Sequence, residues 1–159
     1  MHDIYMRVSF ASDIEKEAMD CIEDCISFLI GKAAQQIARR ARDKLAPFGV
    51  TPVQYAVLHA LWQQDGQSGS ELGARLAIDS ATITGIVDRL EAANLLARRP
   101  DEAGDRRINR AVLTDRGRSL QVPLDRTMDE LNAEVAAELG QDDARRLWAG
   151  LHRLGRIGS

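Results

Sequence analysis

Arg106 and Arg107 stand side by side at the end of a polar run, Asp101-Glu102-Ala103-Gly104-Asp105. A guanidinium offers five donors in a planar fork and no acceptor, a chemistry suited to phosphate oxygens and to the narrow groove of a duplex. Asp105 beside them reads as a structural partner that fixes the loop, because a free carboxylate would repel a phosphate backbone. Upstream, Ser80, Thr82 and Thr84 cluster within five positions and Arg89 follows. Their short hydroxyl side chains can bond phosphates or base edges, and a threonine methyl can meet a thymine methyl. Two blander readings stand beside these: a solvated charge cluster for the arginines, and a small-residue helix packed on a neighbour for Ser80 to Arg89.

The charge balance has to permit a polyanionic partner. The whole chain carries −3, which taken alone speaks against one. The distribution of that charge points the other way. Residues 1–34 hold three basic side chains against seven acidic ones, whereas residues 96–118 hold seven arginines against four acids. At physiological salt, screening cuts off charges beyond about 8–10 Å, so a basic stretch on an acidic chain still attracts phosphate.

The elements that must position these residues follow from the apolar spacing. From Ile22 to Leu45 apolar positions recur at three and four, which predicts one long amphipathic helix ended by Pro47 and Gly49. Thr51-Pro52 then reads as an N-cap followed by proline at the first helical position, opening a second helix that runs to a break at Asp65-Gly66. Gln67-Ser68-Gly69 reads as a polar loop before a short helix, Ser70 to Leu76. Asp79 or Ser80 caps the next helix, in which Ile83, Ile86, Val87 and Leu90 face the core and Asn94 can take the left-handed conformation that ends it. That leaves Ala81, Gly85, Asp88 and Ala92 outward, with Thr82, Thr84 and Arg89 at the edges, a surface small enough to lie in a major groove about 12 Å wide.

Beyond Asn94 the period changes. Leu95 to Arg98 and Arg110 to Leu113 are short enough to be strands, joined by the turn that carries Arg106 and Arg107. Thr114 opens a second long helix that Pro123 should kink, and after Gly140 a last helix carries Leu147, Leu151 and Leu154. This order is that of a winged helix-turn-helix: a mainly α fold with a small β-hairpin wing and long helices at both ends. The reading divides it into an N-terminal dimerisation region (1–50), a winged lobe (51–117) and C-terminal dimerisation helices (118–159), intertwined as one domain. The end helices carry more apolar surface than one small domain covers, so a homodimer is expected. Two reading helices would then meet half-sites about 34–36 Å apart.

Other chemistry finds little support. No phosphate-binding glycine loop, nucleophile elbow or supported Ser/His/Asp or Cys/His set is present, so no catalytic residues, no enzyme activity and no cofactor are expected. Cys21 and Cys25 share a helix face, but with only His2, His59 and His152 besides, a zinc site lacks ligands and no metal is expected. Two cysteines are too few for a secreted disulfide framework, Met1 to Phe10 lacks a signal-peptide pattern, and no apolar run spans a membrane. A cytoplasmic location without membrane association follows as the expectation. Two alternatives remain: a helical protein-interaction module that binds through its amphipathic ends, and a redox regulator built on the cysteines.

Several motifs together resemble the MarR family of multiple-antibiotic-resistance regulators. Thr51-Pro52-Val53-Gln54-Tyr55-Ala56-Val57-Leu58 resembles the start of that family's second helix. Ser70-Glu71-Leu72-Gly73 with Asp79-Ser80-Ala81-Thr82-Ile83-Thr84 is similar to its helix-turn-helix, and Asp105-Arg106-Arg107 followed by Leu113-Thr114 and Gly117 is similar to its wing. The resemblance spans about residues 24–155 and is most specific over 51–118. It implies an obligate dimer that represses a nearby operon by occupying a pseudo-palindrome in double-stranded DNA. Ser80, Thr82 and Thr84 would face the major groove and Arg107 the minor groove. It also implies release by a small inducer, here an aromatic acid or an acyl-CoA, in a crevice to which Phe28, Arg39, Arg42, Tyr55 and His59 contribute. One branch senses peroxides through an N-terminal cysteine. Ser27 stands at the corresponding position here and cannot form the thiolate.

Overall fold

Helix boundaries in this chain are written largely by its capping residues. The computed structural model describes residues 21–101 and 109–155. The chain forms two compact units, residues 1–37 and 38–159. In the first, a 3-10 turn at Ile22–Asp24 leads into α1 (Ile26–Leu45), whose residues from Ala38 on belong to the second. Ile22, Ile26, Phe28, Leu29, Ile30 and Ile37 are all exposed there.

In the second unit, Gly49, at φ 68°, closes the turn after α1. Thr51 caps α2 (Pro52–Gln63) with a capping box: its hydroxyl accepts from the Gln54 amide at 3.3 Å, and the Gln54 side chain accepts from the Thr51 amide at 2.9 Å. Helix α2 buries Val57, Leu58, Ala60 and Leu61 and is the centre of the core. A second capping box, Ser68 with Glu71, starts α3 (Gly69–Leu76). Ala77 ends it in the left-handed region, at φ 53°. Gly73 is required here by close approach, since a Cβ on it would stand 2.9 Å from the Ile78 carbonyl oxygen.

Asp79 caps α4 (Ser80–Ala92), and Asn94 takes the left-handed conformation expected of it, at φ 56°. Two strands follow, β2 (Leu96–Pro100) and β3 (Asn109–Leu113), paired antiparallel with Leu96 opposite Leu113. Gln67 and Ser68, expected in a loop, form a short strand β1 against Ala111 and Arg110, giving the sheet order β1-β3-β2. Two polar residues carry no strand signal. They are held in place because the buried Gln67 amide donates to the Ala60 and Gln64 carbonyls at 3.0 and 2.7 Å.

The expected single helix from Thr114 is two. Helix α5 (Asp115–Ser119), capped by Thr114, ends at Leu120, and α6 (Gln121–Leu139) begins there. Pro123 falls in the first turn of α6, where a missing N–H costs no hydrogen bond, so it starts a helix rather than kinking one. Gly140 separates α6 from α7 (Gln141–Leu154). Leu45, Leu58, Leu61, Leu72, Ile83, Ile86, Leu90, Leu96 and Leu124 are almost fully buried in one core. Each such side chain contributes about 1.5–3 kcal/mol of transfer free energy. On α6 and α7, by contrast, Val122, Leu139, Leu147, Leu151 and Leu154 are exposed.

Candidate nucleic-acid interface

Helix α4 buries Ile83, Ile86, Val87 and Leu90, which turns Ser80, Ala81, Thr82, Thr84, Asp88 and Arg89 to solvent. The expected outer face is therefore present. Its hydroxyls are less free than the sequence suggests. Thr82 donates its Oγ1 proton to Asp79 at 2.6 Å, and Thr84 donates to the Ser80 carbonyl at 2.8 Å. Both keep acceptor lone pairs and present methyl groups. The Ser80 hydroxyl alone among the three has no hydrogen-bond partner among the described residues. Asp79 also accepts from the Thr82 amide at 2.9 Å, so part of the helix N-terminus is already used. The Thr82 hydroxyl and amide hold the Asp79 carboxyl below its ordinary value.

The wing is tied to α4 through Arg98 of β2. Its backbone amide donates to Glu91 at 3.0 Å, and its guanidinium reaches both Glu91 and Asp88. The guanidinium thereby offsets part of the negative charge of two carboxylates on α4, and the helix is held in register with the sheet. Arg110 of β3 makes a second tie. It donates to the Gly66 carbonyl at 2.9 Å, to Glu71 at 3.2 Å and to the nearly buried Asp101 at 2.9 Å, joining β3 to the α3 cap and to the base of the wing. A third arginine, Arg118, pairs with Asp65, whose other oxygen accepts from the Leu113 amide at 2.9 Å.

These pairs revise the reading of the basic stretch. Arg98, Arg110 and Arg118 are structural, whereas Arg99 and Arg116 are exposed and form no ion pair among the described residues. Asp105, Arg106 and Arg107 lie outside the described residues. Asp101, which the sequence marks only as part of the turn, carries the anchoring seen at the wing base. Its one signal is its place at the strand end, two residues past the Arg98-Arg99 pair.

The residues expected around a ligand are placed differently from one another. Phe28 lies on α1 within the first unit and is 39% exposed. Arg39 and Arg42 are exposed on α1 without an ion pair among the described residues. Their neighbour Arg40 instead bridges Glu134 at 3.1 Å and Glu138 at 2.9 Å, and Lys44 joins Glu134 at 2.7 Å. Tyr55 and His59 do come together. The Tyr55 hydroxyl donates to Asp125 Oδ1 at 2.9 Å, and His59 Nδ1 lies 3.1 Å from the same oxygen. Burial and the Asp125 carboxylate push the Tyr55 phenol well above its ordinary value. Beside this cluster an open groove of about 580 Å³ runs along α6 past Val122, Asp125, Arg126, Asp129 and Glu130.

Cys21 is exposed and Cys25 half-buried, and both are free thiols. Cys25 lies 3.0 Å from the Ser27 hydroxyl, which together with nearby amides lowers its pKa. No group of three or more metal-ligating side chains occurs among the described residues. No described helix is long and apolar enough to cross a membrane.

Residues 50–108 match the MarR family model. The chain is 34% identical over 119 residues to the transcriptional regulator TtmR of Methylorubrum extorquens, covering 75% of this chain but only 60% of that one, less than two thirds of its length. It is 33% identical over 114 residues to the transcriptional repressor NicR of Pseudomonas putida, covering 70% and 72%. Among solved structures it is similar to a probable transcriptional regulator from Pseudomonas aeruginosa, with a TM-score of 0.79, 30% identity and coverage of 84% and 99%. The repressor CouR of Rhodococcus jostii, solved on a 23-mer DNA duplex, gives 0.76 and 25%, covering 89% and 99%. BpsR of Bordetella bronchiseptica, whose DNA binding is regulated by 6-hydroxynicotinic acid, gives 0.79 and 26%, covering 86% and 96%. The helix order, the hairpin wing and these matches together make the chain a member of the MarR family of winged helix-turn-helix transcription regulators.

Proposed function

We propose that this chain is a DNA-binding repressor that occupies a pseudo-palindromic operator as a homodimer and is released by a small aromatic or acyl ligand. The observation that carries the reading is the outer face of α4: small side chains and hydroxyls, with the charge of its two carboxylates partly offset from the wing by Arg98. Such a face fits a major groove, and Arg106 and Arg107, between β2 and β3 in the chain, would enter the flanking minor groove. The relation to a repressor solved on duplex DNA supports the same docking. Ser80, Thr82, Thr84 and Arg89 are the major-groove residues of this proposal, and Asp105 steadies the wing tip.

Dimerisation is supported by the uncovered apolar side chains at both ends of the chain, Ile22 to Ile37 and Leu139 to Leu154, which a second copy would bury. Ligand release is supported by the relation to BpsR, regulated by an aromatic acid. The groove on α6 is rich in carboxylates and its Arg126 is already paired with Glu130 at 3.1 Å. An anionic ligand would therefore find its cation at Arg39 or Arg42 of α1, with Tyr55 and His59 as polar contacts. The test is a fragment of the DNA upstream of the protein's own gene, challenged with a panel of aromatic acids and acyl-CoA thioesters. Binding by a dimer and release by one member support the reading; binding that no member of the panel relieves removes its ligand half.

A further inference from the structure

Four side chains form a hydrogen-bonded chain across three helices: Asp125 of α6, His59 and Gln63 of α2, and Arg75 of α3. Arg75 sets its polarity. A guanidinium only donates, so the Gln63 oxygen must face Arg75 and the Gln63 amide nitrogen must face the other way. That nitrogen lies 3.1 Å from His59 Nε2. Because it can only donate, His59 Nε2 must accept, and the ring proton sits on Nδ1, 3.1 Å from Asp125 Oδ1. Every donor meets an acceptor in one state alone: a neutral imidazole in this tautomer. Arg75 is further tied to the Ala60 carbonyl at 3.1 Å, and Asp125 also accepts from Tyr55.

We propose that this chain is a proton-sensitive coupling between α6 and α3, with Gln63 as the positioning residue that transmits the state of His59 to the first helix of the helix-turn-helix. A second proton on His59 must go to Nε2, which turns an acceptor into a donor aimed at the Gln63 NH2 group. The conflict is relieved when the amide rotates and offers its oxygen to His59. Its NH2 group then faces Arg75, and the guanidinium loses that acceptor. Protonation so strengthens the α2–α6 tie, as a charged His59–Asp125 pair, and weakens the α2–α3 tie to the bond between Arg75 and the Ala60 carbonyl. The proton comes from solvent, to which the His59 side chain is 41% exposed.

The titratable and charged groups around His59 are few. Tyr55 on its own helix stays protonated, because burial and Asp125 raise its pKa. Asp125 faces the ring from α6, and Asp129 on that helix adds a charge felt at Tyr55. Arg75 of α3 reaches the ring through Gln63. Helix α3 packs against α4, so loosening it reaches the proposed reading face. That last consequence rests on the DNA-binding reading; the coupling itself does not.

The experiment is nitrogen-15 NMR of the full chain across the His59 titration. The expected neutral form carries its proton on Nδ1, and the Gln63 NH2 and the α3 amides shift with the same midpoint as His59. In Gln63→Ala, His59 still titrates but α3 no longer follows. In Gln63→Glu, a carboxylate accepts from both neighbours, so His59 keeps its proton to higher pH and α3 stays unmoved. A neutral wild type protonated on Nε2, or α3 amides that follow His59 equally in Gln63→Ala, overturns the coupling. On duplex DNA, wild-type affinity should fall about two- to fivefold as His59 gains its proton, and Gln63→Ala should abolish that fall. Added positive charge alone would strengthen DNA binding, so the sign is diagnostic. Absence of duplex binding at every pH removes the regulator reading while the NMR result still decides the coupling. An affinity that stays flat while α3 responds overturns the regulatory consequence.

Discussion

Gly117→Ala should unfasten the joint between the wing and the C-terminal helices. Gly117 is buried in α5, and a Cβ built on it would stand 1.9 Å from the Leu95 carbonyl oxygen, 3.0 Å from Leu95 C and 3.3 Å from Leu113 Cδ2. An ordinary carbon–oxygen contact is about 3.3 Å or longer, so backbone must move by more than an ångström. It has little freedom to do so. The Leu95 oxygen accepts from the Thr114 amide at 3.2 Å, and the Leu95 amide donates to Leu90 at 2.9 Å. On the glycine side, the Gly117 carbonyl accepts from the Trp62 indole at 3.0 Å and its amide donates to Thr114 Oγ1 at 3.0 Å. Overpacking of this kind costs about 1–3 kcal/mol and each strained hydrogen bond about 1 more, giving roughly 3–5 kcal/mol. That is a large share of the ~5–15 kcal/mol that typically holds a domain together, and corresponds to a fall in Tm of roughly 6–20 °C. Urea and thermal unfolding followed by circular dichroism, at fixed protomer concentration, read it directly. A Gly117→Ala protein within about 1 kcal/mol of wild type would refute the argument from close approach.

Other expectations are simpler. Ala77→Gly should stabilise the fold by about 1 kcal/mol, because Ala77 holds a left-handed conformation at φ 53° that costs an L-residue strain; unchanged urea midpoints would count against it. The Ser68 amide lowers the pKa of Glu71, the Thr82 hydroxyl that of Asp79, and the Arg98 amide that of Glu91. Groups depressed in the folded state stabilise it fully above the ordinary carboxylate value of about 4 and lose that contribution as pH falls through the folded values. Unfolding midpoints measured from neutral to acid pH should therefore hold until about pH 4 and decline below it. Arg107→Ala should weaken duplex binding by about 1–3 kcal/mol and leave the dimer intact in size-exclusion chromatography. Loss of the dimer would show that the wing has been misplaced.

Much of this architecture is legible in the sequence, for physical reasons that differ by element. Thr51-Pro52, Asp79 and Asn94 are local signals, each acting on the backbone beside it, and all sit where expected. The three-and-four spacing of Ile83, Ile86, Val87 and Leu90 sets the outer face of α4 correctly. What escapes depends on distant partners. Strand β1 exists because Gln67 and Ser68 meet β3 more than forty residues later, and nothing in two polar residues announces that. The close approach of Gly117 to the Leu95 carbonyl is again a tertiary fact, and the apolar spacing does not announce the break between α5 and α6 at Leu120. Charge counting errs in the same way. It credits Arg98, Arg110 and Arg118 to a basic surface, although their carboxylate partners lie in other elements. Tyr55 and His59 stand out by residue type, but Asp125, which gathers them, lies on a helix whose only sequence signal is its apolar stripe.

The central claim is that α4 and the wing dock on duplex DNA from two copies of this chain. Fluorescence anisotropy on the DNA upstream of its own gene, across a series of salt concentrations, tests it most directly. The account predicts saturation at two protomers per site, an affinity that falls steeply and linearly in log–log form with salt, and a shallower slope for Arg107→Ala. No binding at low salt, or one protomer per site with a flat salt dependence, would contradict it.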